Sequence, residues 1–148
     1  MTVRIDLNGG NELARALTQA GDEVRERVAR VVMKTALDLQ ADVKRSIARG
    51  PASGRVYQKY APRRTHQASA PGQPPMTDTG RLVNSIEFDQ AVVGGSLSAT
   101  VGSALAYALY LEYGTSRMAA RPFFRPAVER MRPKFQADLE AAINGATR

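Results

Sequence analysis

Between Glu23 and Gly50 the apolar residues Val24, Val28, Val31, Val32, Leu37, Leu39, Val43 and Ile47 recur at a broadly helical spacing. No proline interrupts the run before Gly50-Pro51, which ends it. At 1.5 Å per residue the predicted helix is roughly 40 Å long, and Asp22 stands where a cap is wanted. Ahead of it, Val3, Ile5 and Leu7 alternate with polar neighbours and predict a short strand. Asn8-Gly9-Gly10-Asn11 breaks that strand, and residues 12–20 read as a short helix.

In the second half the period changes repeatedly. Thr79-Gly80-Arg81-Leu82-Val83-Asn84-Ser85-Ile86 predicts a short helix capped by Asp78 or Thr79. Residues 88–93 and 97–101 flank Gly94-Gly95, a hairpin signal. Tyr107, Tyr110, Leu111 and Tyr113 predict a short amphipathic helix stopped by Gly114. A last helix carries Val128, Met131, Phe135, Leu139 and Ile143 on one face, with Pro126 suited to its first turn. Pro133 should kink that helix or remove a bond from it. With no internal repeat, residues 1–148 read as a single domain.

Residues 50–78 differ from both halves. They hold Pro51, Pro62, Pro71, Pro74 and Pro75, three glycines and almost no aliphatic side chain. Such a stretch has too little to bury to order itself, so the expectation is a flexible, basic, proline-rich arm.

Charge sharpens this picture. The chain carries 21 Lys+Arg against 14 Asp+Glu, a net of +7. Residues 11–49 hold eight basic and six acidic groups, the pattern of a solvated helix surface. The excess sits in residues 50–81, where Arg55, Lys59, Arg63, Arg64 and Arg81 face Asp78 alone. A basic balance favours acidic partners, nucleic acid among them.

Catalytic chemistry is scarce. Without cysteine there is no thiol catalysis and no thiolate metal site. His66 is the sole histidine and falls in the arm, where it reads as a solvated residue without an orienting partner. Asp38 and Asp42 lie one helical turn apart, but Lys34 and Arg45 are placed to pair with them. No phosphate-binding glycine pattern occurs. The expectation is no enzyme, no cofactor, no metal and no small-molecule substrate. The first residues lack the apolar core of a signal peptide, and no stretch reaches the roughly 20 apolar residues of a membrane span. A soluble protein kept in the cytosol is expected, with no membrane contact.

Two blocks carry a resemblance. Tyr107-Ala108-Leu109-Tyr110-Leu111-Glu112-Tyr113-Gly114-Thr115-Ser116, with Arg121-Pro122-Phe123-Phe124-Arg125-Pro126-Ala127 after it, resembles the signature "YA-x-Y-x-E-x-GTS…RPF-x-RPA". Upstream, Ala70-Pro71-Gly72-Gln73-Pro74-Pro75 and Thr79-Gly80-Arg81-Leu82…Ser85-Ile86 resemble "APG-x-PP…TG-x-L-x-x-SI". Both belong to siphophage neck proteins, the head–tail joining or tail-completion family of the gene-product-10 type in lambda-like phages. The resemblance implies an α+β subunit in which a long N-terminal helix and a C-terminal helix pack on a small antiparallel sheet, with a long extended loop. It also implies a ring, usually of six copies, between the head connector or stopper and the tail tube, assembled in the host cytoplasm and located at the head–tail junction of the virion. Pro133 and the length and basicity of the arm depart from the family pattern.

These readings name the expected contacts. Tyr107, Tyr110 and Tyr113 are spaced three apart, and aromatic residues are enriched in interface cores and domain cores alike. Of Phe123 and Phe124, one ring is expected in the domain and one against a neighbour. Arg117 and Arg121 are candidates for bidentate pairing to a carboxylate across an interface. Arg55, Tyr57, Lys59, Tyr60, Arg63 and Arg64 are the expected arm contacts to a neighbour or to passing DNA. A basic DNA-binding module is the alternative function: Tyr57 and Tyr60 could stack on bases, although no helix presents a basic recognition face.

Overall fold

A computed structural model describes residues 2–6, 21–93 and 96–145. Its spine is helix α1, Asp22–Ala48. Val28, Val32, Ala36, Leu39, Val43 and Ile47 are buried along it at intervals of three and four, the period of one helix face. Leu37 falls off that stripe and is 48% exposed. Asp22 does not cap the helix: it lies in the first turn and pairs with Arg25 at 3.1 Å. Lys34–Asp38 and Asp42–Arg45 are surface ion pairs one turn apart.

The stripe rests on a three-stranded antiparallel sheet made of β1 (Thr2–Asp6), β4 (Ile86–Val93) and β5 (Ser96–Ser103), in the order β1-β5-β4. Phe88 faces Val101 and Gln90 faces Ala99, so Ile86, Ala99 and Val101 reach the core while Glu87 and Asp89 point to solvent. The alternation is that of a sheet with one wet face. The Gln40 side chain donates to the Ile86 carbonyl at 2.9 Å, tying α1 to the start of β4. The helix expected over residues 12–20 and the Gly94-Gly95 turn lie outside the described residues.

The last helix, Arg125–Asn144, packs against α1. Val128, Met131, Phe135 and Leu139 meet the core as expected, but Ala142 takes the next contact and Ile143 is exposed. Pro133 lies inside the helix, which continues through it. The carbonyl left without a donor belongs to Glu129, and both residues are exposed, so water can replace the missing bond. The Arg130 guanidinium donates to Asp42 at 2.7 Å and bridges the two helices.

Residues 50–78 hold more order than their composition implied. Val56–Tyr60 (β2) and Arg63–Gln67 (β3) form an antiparallel hairpin, with the cis Ala61-Pro62 bond in its turn. All five prolines fall outside the two strands, where no ladder donor is needed. Backbone pairing with β-branched and aromatic residues supplies what aliphatic burial does not. The short helix α2, Arg81–Asn84, comes after Gly80 at φ 77, and neither Asp78 nor Thr79 caps it.

Leu39 is buried at the centre of the stripe, so Leu39→Ala should cost about 2–5 kcal/mol. Leu37→Ala should stay within roughly 0.5 kcal/mol. Chemical denaturation of the two variants checks the placement of the stripe.

Candidate interaction surface

Helix α3, Ala106–Tyr113, is two turns long and sorts its side chains sharply. Ala108 and Glu112, four apart, face inward and are buried. Tyr107, Tyr110 and Tyr113 are 39%, 52% and 64% exposed, and Leu109 is exposed beside them. The three tyrosines are therefore not core aromatics. Apart from Glu112 the helix carries no charge, which leaves an uncharged aromatic face toward solvent.

Glu112 explains why that face is held where it is. Its carboxylate accepts the backbone N–H groups of Phe123 at 2.8 Å, Phe124 at 2.9 Å and Arg125 at 2.8 Å. These are the donors at the entry to the last helix, which α-helical bonding leaves unpaired and which carry the positive end of its dipole. A buried carboxylate is tolerable only with such donors. Between the two ends the chain turns tightly: Gly114 has φ 77, and a Cβ there would meet the Met118 carbonyl oxygen at 2.7 Å. The Arg121 amide closes the turn onto the Leu111 carbonyl at 2.6 Å. Glu112 was visible only as one letter of the signature. Its signal was an acid on an otherwise uncharged helix, eleven to thirteen residues ahead of three unpaired amides.

The clamp corrects the expectation that Phe123 and Phe124 divide between the domain and a neighbour. Both are buried, with ring centroids 5.1 Å apart, so neither ring faces a neighbour. Their amides are pulled to Glu112, and both rings accompany the backbone into the core. Arg121 bonds within its own chain, its Nε donating to the Ser69 carbonyl at 3.2 Å. Arg117 is exposed at the tip of the 115–118 turn.

Ser69 belongs to the stalk of the β2–β3 hairpin, which is fastened at both ends. Ala68 extends its ladder by two backbone bonds, accepting from the Gly54 amide and donating to the Arg55 carbonyl, and the Gly72 amide donates to the Ala120 carbonyl at 2.8 Å. Farther out, Asp78 collects the cations of one hairpin face. Lys59 is hydrogen-bonded to it, Arg64 pairs with it at 2.6 Å, and the His66 Nδ1 lies 3.7 Å away. Cross-strand neighbours share a face, which is why Lys59 and Arg64, paired in register, reach the same carboxylate. The Lys59 hydrogen bond, with Arg64 and His66 adding to it, holds the Asp78 carboxyl below the usual carboxylate range. His66 is half-buried beside this cluster, which corrects its reading as a solvated residue. The opposite face, with Val56, Tyr60 and Arg63, is exposed. The Arg55 guanidinium lies over the Tyr57 ring, 5.5 Å from its centroid.

Residues 75–82 and α3 enclose a shallow groove of about 250 Å³, with Tyr107 and Leu111 on the helix side. Among the described residues no cluster of three His, Asp or Glu side chains could hold a metal ion, and no helix is long and apolar enough to cross a membrane.

Compared with known proteins, residues 11–114 match the family model described as "Bacteriophage HK97-gp10, putative tail-component". No curated protein and no solved structure gave a match.

The geometry generates two expected outcomes. Glu112→Ala leaves three amides without an acceptor and should cost at least about 3 kcal/mol, with Glu112→Gln intermediate because one carbonyl oxygen remains; thermal and chemical unfolding measure both. The Asp78 contact should respond to pH. Its folded pKa is depressed, so its contribution is present above the ordinary carboxylate value and is lost as pH falls through the lowered one. Amide protection in residues 56–67 should begin to fall as pH drops below the ordinary carboxylate value and reach its floor below the lowered one, whereas Asp78→Asn should lower it at neutral pH.

Proposed function

The chain belongs to the HK97-gp10-like family of bacteriophage tail components, and from that premise we propose that it is a ring subunit of the head–tail junction. In this role it completes the tail, meets the head connector or stopper on one side and the tail tube on the other, and leaves a passage for DNA. As a tail component it is a structural protein of the virion.

The observation that carries the proposal is the tyrosine face of α3. A purely internal helix would turn its aromatic side inward, but here Tyr107, Tyr110 and Tyr113 are exposed while a buried glutamate fixes the helix behind them. Large, stiff, amphipathic rings on a fixed scaffold gain contact area at low entropic cost, which suits the centre of a protein–protein contact. Arg117 stands at the rim, in reach of a partner's carboxylate.

The basic DNA-binding module is the weaker reading. Lys59 and Arg64 are engaged by Asp78, leaving Arg55 and Arg63 as the hairpin cations without an ion-pair partner among the described residues. Contact with passing DNA then rests on general charge rather than on a recognition surface.

Tyr110→Ala and Tyr113→Ala should each leave a folded protein, with a stability change within roughly 0.5 kcal/mol. Supplied to a phage lacking the wild-type gene, they should give heads and tails that fail to join, counted by electron microscopy. Normal yields of joined particles from both variants would remove the tyrosine face from the junction.

A further inference from the structure

β4 is an edge strand. β5 pairs with one side of it, and among the described residues no strand pairs with the other. Ile86–Val93 carries two acids and no base, and Glu87, Asp89, Gln90 and Ala91 are exposed. Neither Glu87 nor Asp89 has an ion-pair partner among the described residues. The Asp89 carboxylate accepts the Gln90 amide at 2.8 Å, so this strand places negative charge against its own backbone.

The hairpin has the opposite sign and the same opening. β2 and β3 pair only with each other, so both outer edges are unpartnered among the described residues. Asp78 pairs with Lys59 and Arg64 on one hairpin face, and the exposed groups outside that pairing are Arg55, Arg63, Tyr60 and Val56. We infer, resting on the ring reading above, that the basic hairpin of one copy of this chain adds to the acidic edge of β4 in the next copy.

The physical case is one of sign and symmetry. Two β4 edges brought together would set carboxylates against carboxylates, so the charge that discourages two-fold pairing also selects a partner of opposite charge. Hairpin and edge are different patches of one surface, and a contact between them is heterologous, the kind that closes a ring. Strand addition supplies main-chain hydrogen bonds without demanding a large apolar area, which fits a hairpin whose two strands hold Val56 as their single aliphatic residue. The tyrosine face of α3 is then free for a second partner.

The test is charge reversal in the full chain, since all four positions are exposed. Arg55→Glu with Arg63→Glu, and separately Glu87→Lys with Asp89→Lys, should each weaken self-association at least about tenfold. The four changes together should restore it, as read by sedimentation and by the ring seen in purified particles. Wild-type assembly in either reversed variant, or no recovery in a combined variant that is folded by circular dichroism, overturns the inference and leaves the ring reading standing. If the hairpin reversal abolishes DNA binding and leaves assembly intact, the hairpin serves DNA and the inference is wrong. If the wild-type chain forms no closed oligomer, alone or in particles, the ring reading fails and takes the inference with it.

Discussion

The Glu112 carboxylate accepts three consecutive backbone amides from the far side of a tight turn, and two helices take their places from that contact. It closes the end of α3 and opens the last helix with the same charge. The residues between must return within a short loop, so Gly114 adopts a left-handed conformation and the chain lies against Met118 and Ala120 with no room for a side chain. Phe123 and Phe124 are carried into the core by the amides that Glu112 holds. Tyr107, Tyr110 and Tyr113 are carried outward because their helix has turned its glutamate in.

The rest of the molecule supports that junction from two sides. α1 lies across the sheet and the last helix, so one apolar stripe serves both layers of the domain. The half-buried Gln40–Ile86 bond and the exposed Arg130–Asp42 pair fix its register, the exposed pair contributing little stability but setting position. On the other side, the hairpin stalk reaches the turn after α3 through Gly72, Ser69 and Arg121. The hairpin base and the turn after α3 thus share two hydrogen bonds.

Charge is distributed in the same spirit. A chain of net +7 could present its excess as one patch, but Asp78 gathers Lys59, Arg64 and His66 around one carboxylate on one hairpin face. Arg55 and Arg63 of the hairpin, which have no ion-pair partner among the described residues, and the acids of β4 sit on separate elements. That separation lets one surface be attractive to another part of its own kind and repulsive to an identical part.

How far this was legible in the sequence depends on the range of the interactions. The α1 stripe, the β4–β5 pairing, the end of α3 at Gly114 and the place of Pro126 in the first turn of the last helix depend on local period and turn chemistry, and residue order alone determined them. So did membership of the family, through the two motif blocks. Three matters were decided only in three dimensions. The β2–β3 hairpin escaped because its order comes from backbone pairing and a distant aspartate rather than from buried side chains. The direction of Phe124 escaped because it depends on which amides a glutamate twelve residues away can reach. The division of α3 into an inward Glu112 and outward tyrosines reverses the usual preference of both residue types. The pattern of polarity marked Glu112 only as a lone acid on an otherwise uncharged helix, because the carboxylate is buried for the sake of amides that belong to another helix.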